Sequence, residues 1–182
     1  ATAFAPEALA AQPPLRAALE ALEVQAYEPI ATVWLGYPAR IDLPGPIARL
    51  DDAPGQWVIE RPDILTAAGT GAPRLAQLLA VVISAEGPHL KSTHEALVRD
   101  TDAQLRRLRP ELPPLAWSFA IVEKRATYAC TPDRALPAAP RFGAGIYLAG
   151  DYAYPDFPAT LEAAVRSGMA AARAVVADTA TP

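Results

Sequence analysis

The chain has 182 residues, of which 52% are hydrophobic, and its formal net charge at neutral pH is −4. This length and apolar content suffice for a sizeable hydrophobic core, whereas the negative charge argues against nucleic acid or a strongly anionic surface as a partner. The single cysteine, Cys130, excludes an intramolecular disulfide. We expect Cys130 to act as a small packed side chain.

The first half of the chain predicts one helix and three strands. Leucines at 15, 19 and 22 follow a helical spacing, which predicts a helix over residues 12–23. Two segments rich in β-branched and aromatic residues predict strands at 27–37 and 56–60. Residues 78–85 are apolar apart from Ser84, as expected for a strand that is buried on both faces.

The second half opens with a predicted helix over residues 92–109, which Pro110 ends. Ser92 is the predicted N-cap, because Glu95 stands three residues further on. The inner side of this helix is marked by Leu97, Leu105 and Leu108.

A long strand is predicted over residues 116–128, and a break near Glu123 stays open. A Pro- and Ala-rich linker over 132–145 leads to a short strand at 146–148 and a final helix. The predicted fold class is therefore α+β. It has a mixed, mainly antiparallel sheet with helices on one side, followed by a C-terminal strand–helix unit.

The C-terminal segment places a carboxylate between the final strand and the final helix. Ala149-Gly150-Asp151 forms an abrupt turn after the strand, and the helix opens at Pro158-Ala159-Thr160. Ligands bind at such strand ends in α/β folds. The unpaired N–H groups of a first helical turn attract anionic or electron-rich groups.

This segment, AGD at 149–151 followed by PATLEAAVRSG at 158–168, resembles the C-terminal flavin signature of the FAD-dependent amine oxidase and phytoene desaturase superfamily. The resemblance implies an FAD cofactor, with the aspartate at its ribityl or diphosphate part and the helix start at the isoalloxazine. One departure is Ala163, which stands where the family usually has glycine. The cofactor-binding residues implied in this way are Gly150, Asp151, Pro158, Ala159, Thr160 and Leu161.

Four earlier segments follow in an order similar to the squalene-associated FAD-dependent desaturases, which are also described as hydroxysqualene dehydroxylases. They are YEPIATVWLGY (27–37), GQWVIERP (55–62), LLAVVISAEG (78–87) and VEKRATYACTP (122–132). The resemblance implies a flavin-dependent oxidoreductase for an apolar isoprenoid such as hydroxysqualene. Two alternatives stay open: an FAD-dependent amine oxidase-like enzyme, and a cofactor-free binding or assembly module.

The same resemblance implies that residues 1–135 are the later part of a substrate-binding domain and 136–182 the C-terminal segment of an FAD-binding domain. Enzymes of this type begin with a G-x-G-x-x-G turn that holds the pyrophosphate. Gly69-Thr70-Gly71 lacks the third glycine and the preceding strand. We therefore expect a C-terminal portion of a larger enzyme, inactive alone and unable to hold FAD tightly.

Substrate contacts are predicted on the strand at 116–128. Glu123-Lys124-Arg125 places three charges in an otherwise apolar strand, where they need partners or line a cleft. Trp117, Glu123 and Lys124 are our candidates for the substrate pocket, and no residue is assigned a catalytic role. His89 and His94 show no zinc-ligand pattern, so we predict exposed side chains there and no metal site.

The final helix carries small residues at helical spacing, namely Ala164, Gly168 and Ala172, flanked by apolar ones such as Leu161 and Val165. This stripe predicts close packing against another backbone, because a helical glycine otherwise costs about 1 kcal/mol. With the family's nucleotide domain absent, the apolar strand at 146–148 and this stripe lack their partners, so we expect the chain to self-associate, to swap its C-terminal helix or to fold that helix onto its own sheet. No signal peptide is recognised and no apolar run could span a bilayer, which predicts a cytoplasmic protein; peripheral contact with the inner membrane stays open.

Overall fold

The computed structural model describes residues 13–23, 25–62, 75–132, 141 and 145–180. Their helices are α1 (Pro13–Glu23), α2 (His94–Leu108) and α3 (Leu161–Thr179), and their strands are β1 (Tyr27–Tyr37), β2 (Ile47–Arg49), β3 (Trp57–Glu60), β4 (Gln77–Ser84) and β5 (Trp117–Tyr128). Short 3₁₀ helices lie at Pro88–Lys91 and Asp151–Ala153. The chain divides into a central unit, residues 28–126, and a terminal unit, which combines residues 1–27 with 127–182.

The central unit is built on a five-stranded sheet in the order β2-β3-β4-β1-β5. β1 and β4 are rich in apolar and β-branched residues, and these two strands pair antiparallel from Ile30 opposite Ser84 to Tyr37 opposite Gln77. β3 pairs antiparallel with both β2 and β4. The α+β class and the mainly antiparallel sheet predicted from the sequence are confirmed.

The hydrophobic core lies between this sheet and α2. Alternate residues of β1 are fully buried, as the two-residue period of a strand requires. The first five residues of β4 are all buried, as predicted for a strand covered on both faces. The core includes Val33, Leu35, Leu79, Val81, Leu97 and Leu105.

Two fully buried glutamines bind loops of the central unit through the loops' backbone. The side-chain amide of Gln77 accepts from the N–H of Ile41 and donates to its carbonyl, both at 3.1 Å. Gln104 does the same at Gly55, at 2.7 and 2.9 Å, and donates also to Asp51. Each side-chain amide thus pairs with a peptide group as a neighbouring strand would, and this satisfies polar groups that would be costly if left alone.

A third glutamine repeats the arrangement at the sheet itself. The side chain of Gln56 donates to the carbonyl of Ser84 and accepts from its N–H, both at 3.0 Å. We call the three pairs Gln77–Ile41, Gln104–Gly55 and Gln56–Ser84 the amide brackets. They tie segments that are far apart in the chain, so no local pattern predicts them.

A buried tyrosine links β1 to α2. The hydroxyl of Tyr37 donates to Asp102 at 2.7 Å, and Arg106 pairs with the same carboxylate at 2.8 Å. Burial, followed by the hydrogen bond and the charge of Asp102, raises the pKa of Tyr37 far above its ordinary value. Arg106 also donates to the carbonyls of Leu112 and Pro113, which fixes the segment leading into β5.

The terminal unit contains α1, α3 and the segment between β5 and α3. Leu15 and Ala18 of α1 are buried against Ile146 and Leu148. The predicted strand at 146–148 is wrong: Tyr147 forms only an isolated bridge with Arg141. The apolar side chains of Ile146 and Leu148 pack on α1 instead.

The start of α2 differs from its prediction by one residue. Ser92 is the C-cap of the 3₁₀ helix Pro88–Lys91, and its N–H bonds the carbonyl of His89. Thr93 is therefore the N-cap and accepts from the N–H of Ala96 at 3.2 Å. Leu108, predicted on the inner side, is 44% exposed because it is the last helical residue.

Of the remaining predictions, some are confirmed, one is wrong and some fall on residues that the structure does not describe. The strand predicted at 27–37 is confirmed, and β5 is continuous through Glu123. Cys130 is exposed, so its prediction as a packed side chain is wrong, because it follows the end of β5. Outside the described residues lie Gly69-Thr70-Gly71, the domain boundary at 135/136, most of the 132–145 linker and the side chain of Leu22.

The buried face of α3 is one residue away from the predicted stripe. Ala163, Ser167 and Ala171 are the buried residues, whereas a Cβ added at Gly168 would meet no atom within 4 Å. Ser167 is buried because its hydroxyl accepts from the N–H of Gly150, as described below. Among the described helices, none combines the length and the apolar character of a membrane span.

Candidate functional site

Asp151 lies at the start of the 3₁₀ helix Asp151–Ala153 in the terminal unit. Gly150 precedes it, and a Cβ at that position would overlap the ring of Tyr152. Glycine is therefore required for a close approach within the turn. The half-buried carboxylate of Asp151 has no hydrogen bond or ion pair among the described residues, which leaves its oxygens able to accept from a ligand.

The start of α3 is organised by Thr160. Its hydroxyl accepts from the N–H of Ala163 at 3.2 Å and donates to the carbonyl of Phe157 at 2.5 Å. An α-helix cannot pair its first N–H groups internally, and here those of Leu161 and Glu162 precede the capped one. Leu161 is 87% exposed, so this end of the helix is accessible.

The turn before α3 holds two non-glycine residues in the left-handed region. Phe157 and Ala159 both have φ near +56°. Such a conformation costs a residue with a Cβ roughly 1–2 kcal/mol. Strain of this kind persists where surrounding contacts fix the backbone, often at ligand sites.

Three hydrogen bonds join the Asp151 turn to α3 and the turn before it, two of them through the hydroxyl of Tyr128. The buried hydroxyl of Tyr128, at the end of β5, accepts from the N–H of Ala159 at 2.6 Å and donates to the carbonyl of Asp151 at 3.4 Å. The N–H of Gly150 donates to Ser167 of α3 at 3.2 Å. The predicted cofactor-binding residues therefore lie in one turn-and-helix arrangement, with Pro158 exposed beside Ala159.

Tyr128 is the residue of this site that sequence reasoning missed. It lies in the VEKRATYACTP segment, where its phenol has no recognisable motif. It is only 3% exposed. A signal existed in its chemistry, because a tyrosine buried at the end of an otherwise exposed strand needs a partner for its hydroxyl.

Two charged side chains at the start of α3 are paired with each other. Glu162 in the first turn of α3 accepts from Arg166 at 2.6 Å, and the Arg166 guanidinium lies 4.9 Å from the ring centre of Phe157. Burial, and then the charge of Asp151, raises the pKa of Tyr152, which stays a neutral phenol near neutral pH. The site thus offers the carboxylate of Asp151, which is unpaired among the described residues, beside a helix N-terminus.

The predicted substrate residues belong to the central unit. Trp117 is 40% exposed, and Glu123 and Lys124 are exposed on β5. The carboxylate of Glu123 accepts from the backbone N–H of Arg125 at 3.0 Å. Their role in substrate binding stays a prediction.

The histidines divide between a buried and an exposed position. His94 is exposed as predicted, whereas His89 is only 8% exposed, so its predicted exposure is wrong. The 3₁₀ helix Pro88–Lys91 turns its ring inward, and burial lowers its pKa. In the described part of the chain, no three His, Cys, Asp or Glu side chains are grouped as a metal site requires.

The central unit also contains a cleft of about 630 Å³ near His89 and Arg107. Its polar groups are largely committed to the protein: Gln56 to Ser84, and Arg107 to the carbonyl of Ala53. The Nε2 atom of His89 is shielded from solvent and has no hydrogen-bond partner in the part of the chain that the structure describes. The cleft therefore offers few groups to a ligand and is distinct from the site in the terminal unit.

The groups present in the terminal unit suit a flavin. FAD carries ribityl hydroxyls that can donate to a carboxylate such as Asp151, and an electron-rich pyrimidine edge that suits the first N–H groups of α3. Both groups are accessible, and Thr160 and Tyr128 fix the backbone between them. The donor and acceptor set is therefore compatible with that cofactor.

Comparison with known families agrees with this reading of the site. The family model of flavin-containing amine oxidoreductases matches residues 3–176, almost the whole chain, so the chain belongs to that family. Within it, the chain is similar to the hydroxysqualene dehydroxylase of Sinorhizobium fredii (strain NBRC 101917 / NGR234), with 42% identity over 73 residues. That match covers 39% of this chain and 17% of the relative. Membership of this flavin-containing family agrees with FAD as the cofactor.

Proposed function

We propose that these residues are part of an FAD-dependent oxidoreductase that acts on an apolar isoprenoid such as hydroxysqualene. The observation that carries the flavin part is the joined arrangement of Asp151 and the start of α3 in a chain of the flavin-containing family. The similarity to a hydroxysqualene dehydroxylase supports the substrate.

In this proposal Asp151 accepts hydrogen bonds from hydroxyl groups of the cofactor, and α3 directs its first N–H groups at the electron-rich edge of the ring. A charge at a helix terminus is stabilised by about 0.3–2 kcal/mol, so α3 favours the reduced flavin to that extent. FAD itself supplies the capacity to carry two electrons. The chain's residues bind it and hold its orientation.

A row of exposed apolar side chains in the central unit independently favours an apolar substrate. Trp117, Phe119 and Ile121 alternate along β5, so their side chains share one face of the strand. They are 40%, 53% and 50% exposed. We propose that this row contacts the hydrocarbon part of the substrate, with Glu123 and Lys124 further along the same strand.

The proposal also covers the activity of the isolated chain and the cellular location of the whole enzyme. The 182 residues alone are proposed to be inactive. A polyisoprenoid substrate partitions into membranes, so we propose that the whole enzyme works in the cytoplasm in peripheral contact with the inner membrane.

The test uses the full-length protein that contains these residues, purified and reconstituted with FAD. Replacing a hydroxyl group by hydrogen consumes two electrons, so the assay supplies chemically reduced flavin with hydroxysqualene and measures squalene by gas chromatography. Parallel reactions offer primary amines to the oxidised enzyme and measure aldehyde. We expect squalene formation and no aldehyde. Formation of aldehyde without squalene would show that the enzyme oxidises amines and does not act on hydroxysqualene. A protein that binds no flavin would overturn the proposal.

A further inference from the structure

Tyr128 occupies a position that the flavin signature does not include, yet its hydroxyl contacts both parts of the candidate site. A phenolic oxygen can donate one hydrogen bond and accept others. Here it accepts from Ala159 at 2.6 Å and donates to Asp151 at 3.4 Å. One oxygen atom therefore connects the peptide of the carboxylate residue to the turn that begins α3.

The turn that Tyr128 holds is a strained one. Ala159 has φ of +56°, a conformation that a residue with a Cβ adopts only at a cost. Its N–H donates to the Tyr128 hydroxyl at 2.6 Å, a short hydrogen bond. Without that bond, the left-handed turn loses a contact that keeps it from relaxing.

We propose that Tyr128 is a positioning residue for the flavin, which sets the placement of the Asp151 carboxylate relative to the first N–H groups of α3. This inference rests on the proposed function. The bond from Gly150 to Ser167 constrains the same two segments from the other side. Tyr128 acts through backbone groups and does not itself contact the cofactor in this role.

The test is Tyr128→Phe in the full-length protein, which removes the hydroxyl and keeps the buried ring. Tyr147→Phe is the matched control, because the Tyr147 hydroxyl bonds Asp178 near the other end of α3. FAD binding to the apoprotein is measured by fluorescence quenching. The flavin midpoint potential is measured on the reconstituted variants.

We expect Tyr128→Phe to raise the FAD dissociation constant about five- to tenfold, as the loss of one well-formed hydrogen bond would. We also expect a more negative flavin potential, because a misplaced helix start stabilises reduced flavin less. Tyr147→Phe should change neither value. Equal affinities and potentials for Tyr128→Phe and wild type would overturn this inference and leave the proposed function intact, whereas a wild-type protein without flavin would remove both.

A second readout needs no cofactor. Hydrogen exchange in the apoprotein, followed by mass spectrometry, should be faster in peptides covering residues 157–162 of Tyr128→Phe and unchanged there in Tyr147→Phe. Exchange in β4 reports on the central unit, and exchange in the last turns of α3 reports on the terminal unit. Faster exchange throughout the chain would make Tyr128 a residue of general stability and overturn its assignment as a positioning residue.

Discussion

The two units of this chain treat their polar and apolar groups differently. In the central unit, buried amides are paired in the amide brackets and apolar side chains of β1 and β4 fill a common core. In the terminal unit, α3 exposes Leu161, Val165 and Met169, while buried polar atoms of Gln25 and Thr127 find no hydrogen-bond partner among the residues described there. Among the described residues, the central unit pairs most of its buried side-chain polar groups, with Nε2 of His89 as an exception, whereas the terminal unit leaves apolar side chains of α3 exposed and buried atoms of two residues unpaired.

The largest expected effect concerns flavin affinity of the 182-residue chain itself. Asp151 and a few backbone donors contribute about 0.5–3 kcal/mol each, whereas association costs an estimated 4–15 kcal/mol. We expect a dissociation constant for FAD no better than about millimolar. Calorimetry and an absorbance scan after desalting check this. A yellow chain that retains flavin after desalting would show that these residues carry a complete FAD site and would contradict the difference between the two units.

Gln104→Leu should produce the largest loss of stability in the central unit. It leaves both backbone groups of Gly55 and the carboxylate of Asp51 without their partner. Unpaired buried groups cost about 1–3 kcal/mol each, so we expect a loss of about 3 kcal/mol in urea denaturation. Arg99→Ala, in an exposed ion pair on the same helix, is the control and should cost below about 1 kcal/mol. Similar losses in both variants would contradict the importance of the amide brackets.

Asp151→Ala in the full-length protein tests the open carboxylate of the terminal unit. We expect a loss of about 1.5–3 kcal/mol in FAD affinity, the value of a hydrogen bond to a charged group. The purified variant should be pale and regain flavin at raised FAD concentration. Asp156→Ala removes an exposed carboxylate five residues away and should leave affinity unchanged. An unchanged dissociation constant for Asp151→Ala would remove this residue from the site.

The exposed apolar face of α3 predicts self-association of the 182-residue chain. Val165 is 58% exposed between Leu161 and Met169 on that face. Val165→Glu places a charge in the contact and should weaken association at least about tenfold, as for an interface residue of moderate energy. Sedimentation over a range of concentrations measures it, with Arg173→Glu on the same helix as a control. A wild-type chain that stays monomeric at high concentration would refute the prediction.

The smallest expected effects are changes in stability on replacing two alanines by glycine, and these changes should have opposite signs. Ala159→Gly relieves a left-handed backbone and should stabilise the terminal unit by about 0.5–1 kcal/mol. Ala172→Gly, at an exposed position inside α3, should destabilise by about 1 kcal/mol. Thermal denaturation of both variants measures the difference. Destabilisation by Ala159→Gly would mean that the turn does not carry the expected cost.

Sequence reasoning succeeded where a signal is local. The apolar runs of β1 and β4 predicted those strands to within one or two residues, and the AGD and PATLEAAVRSG motifs located the candidate site. It failed where distant contacts decide. The three-residue strand β2 is too short to show a period, and the pairing of Gln104 with Gly55 spans 49 residues.

The same reason accounts for the errors in the terminal unit. The buried face of α3 follows Ser167, whose partner is the backbone of Gly150 rather than a neighbouring helix residue. A rule based on small side chains therefore selected Gly168, one position away. No local pattern predicts the role of Tyr128, because its partners, Asp151 and Ala159, lie 23 and 31 residues further along the chain.

The amide brackets have a consequence for how the central unit responds to its solvent. Ions in solution screen interactions between charges, most strongly at the surface. The pairs Gln77–Ile41 and Gln56–Ser84 join neutral amides and peptide groups, so added salt weakens them little. The anchoring of these segments should therefore be nearly independent of ionic strength, while exposed ion pairs such as Arg49–Asp52 loosen as salt is added.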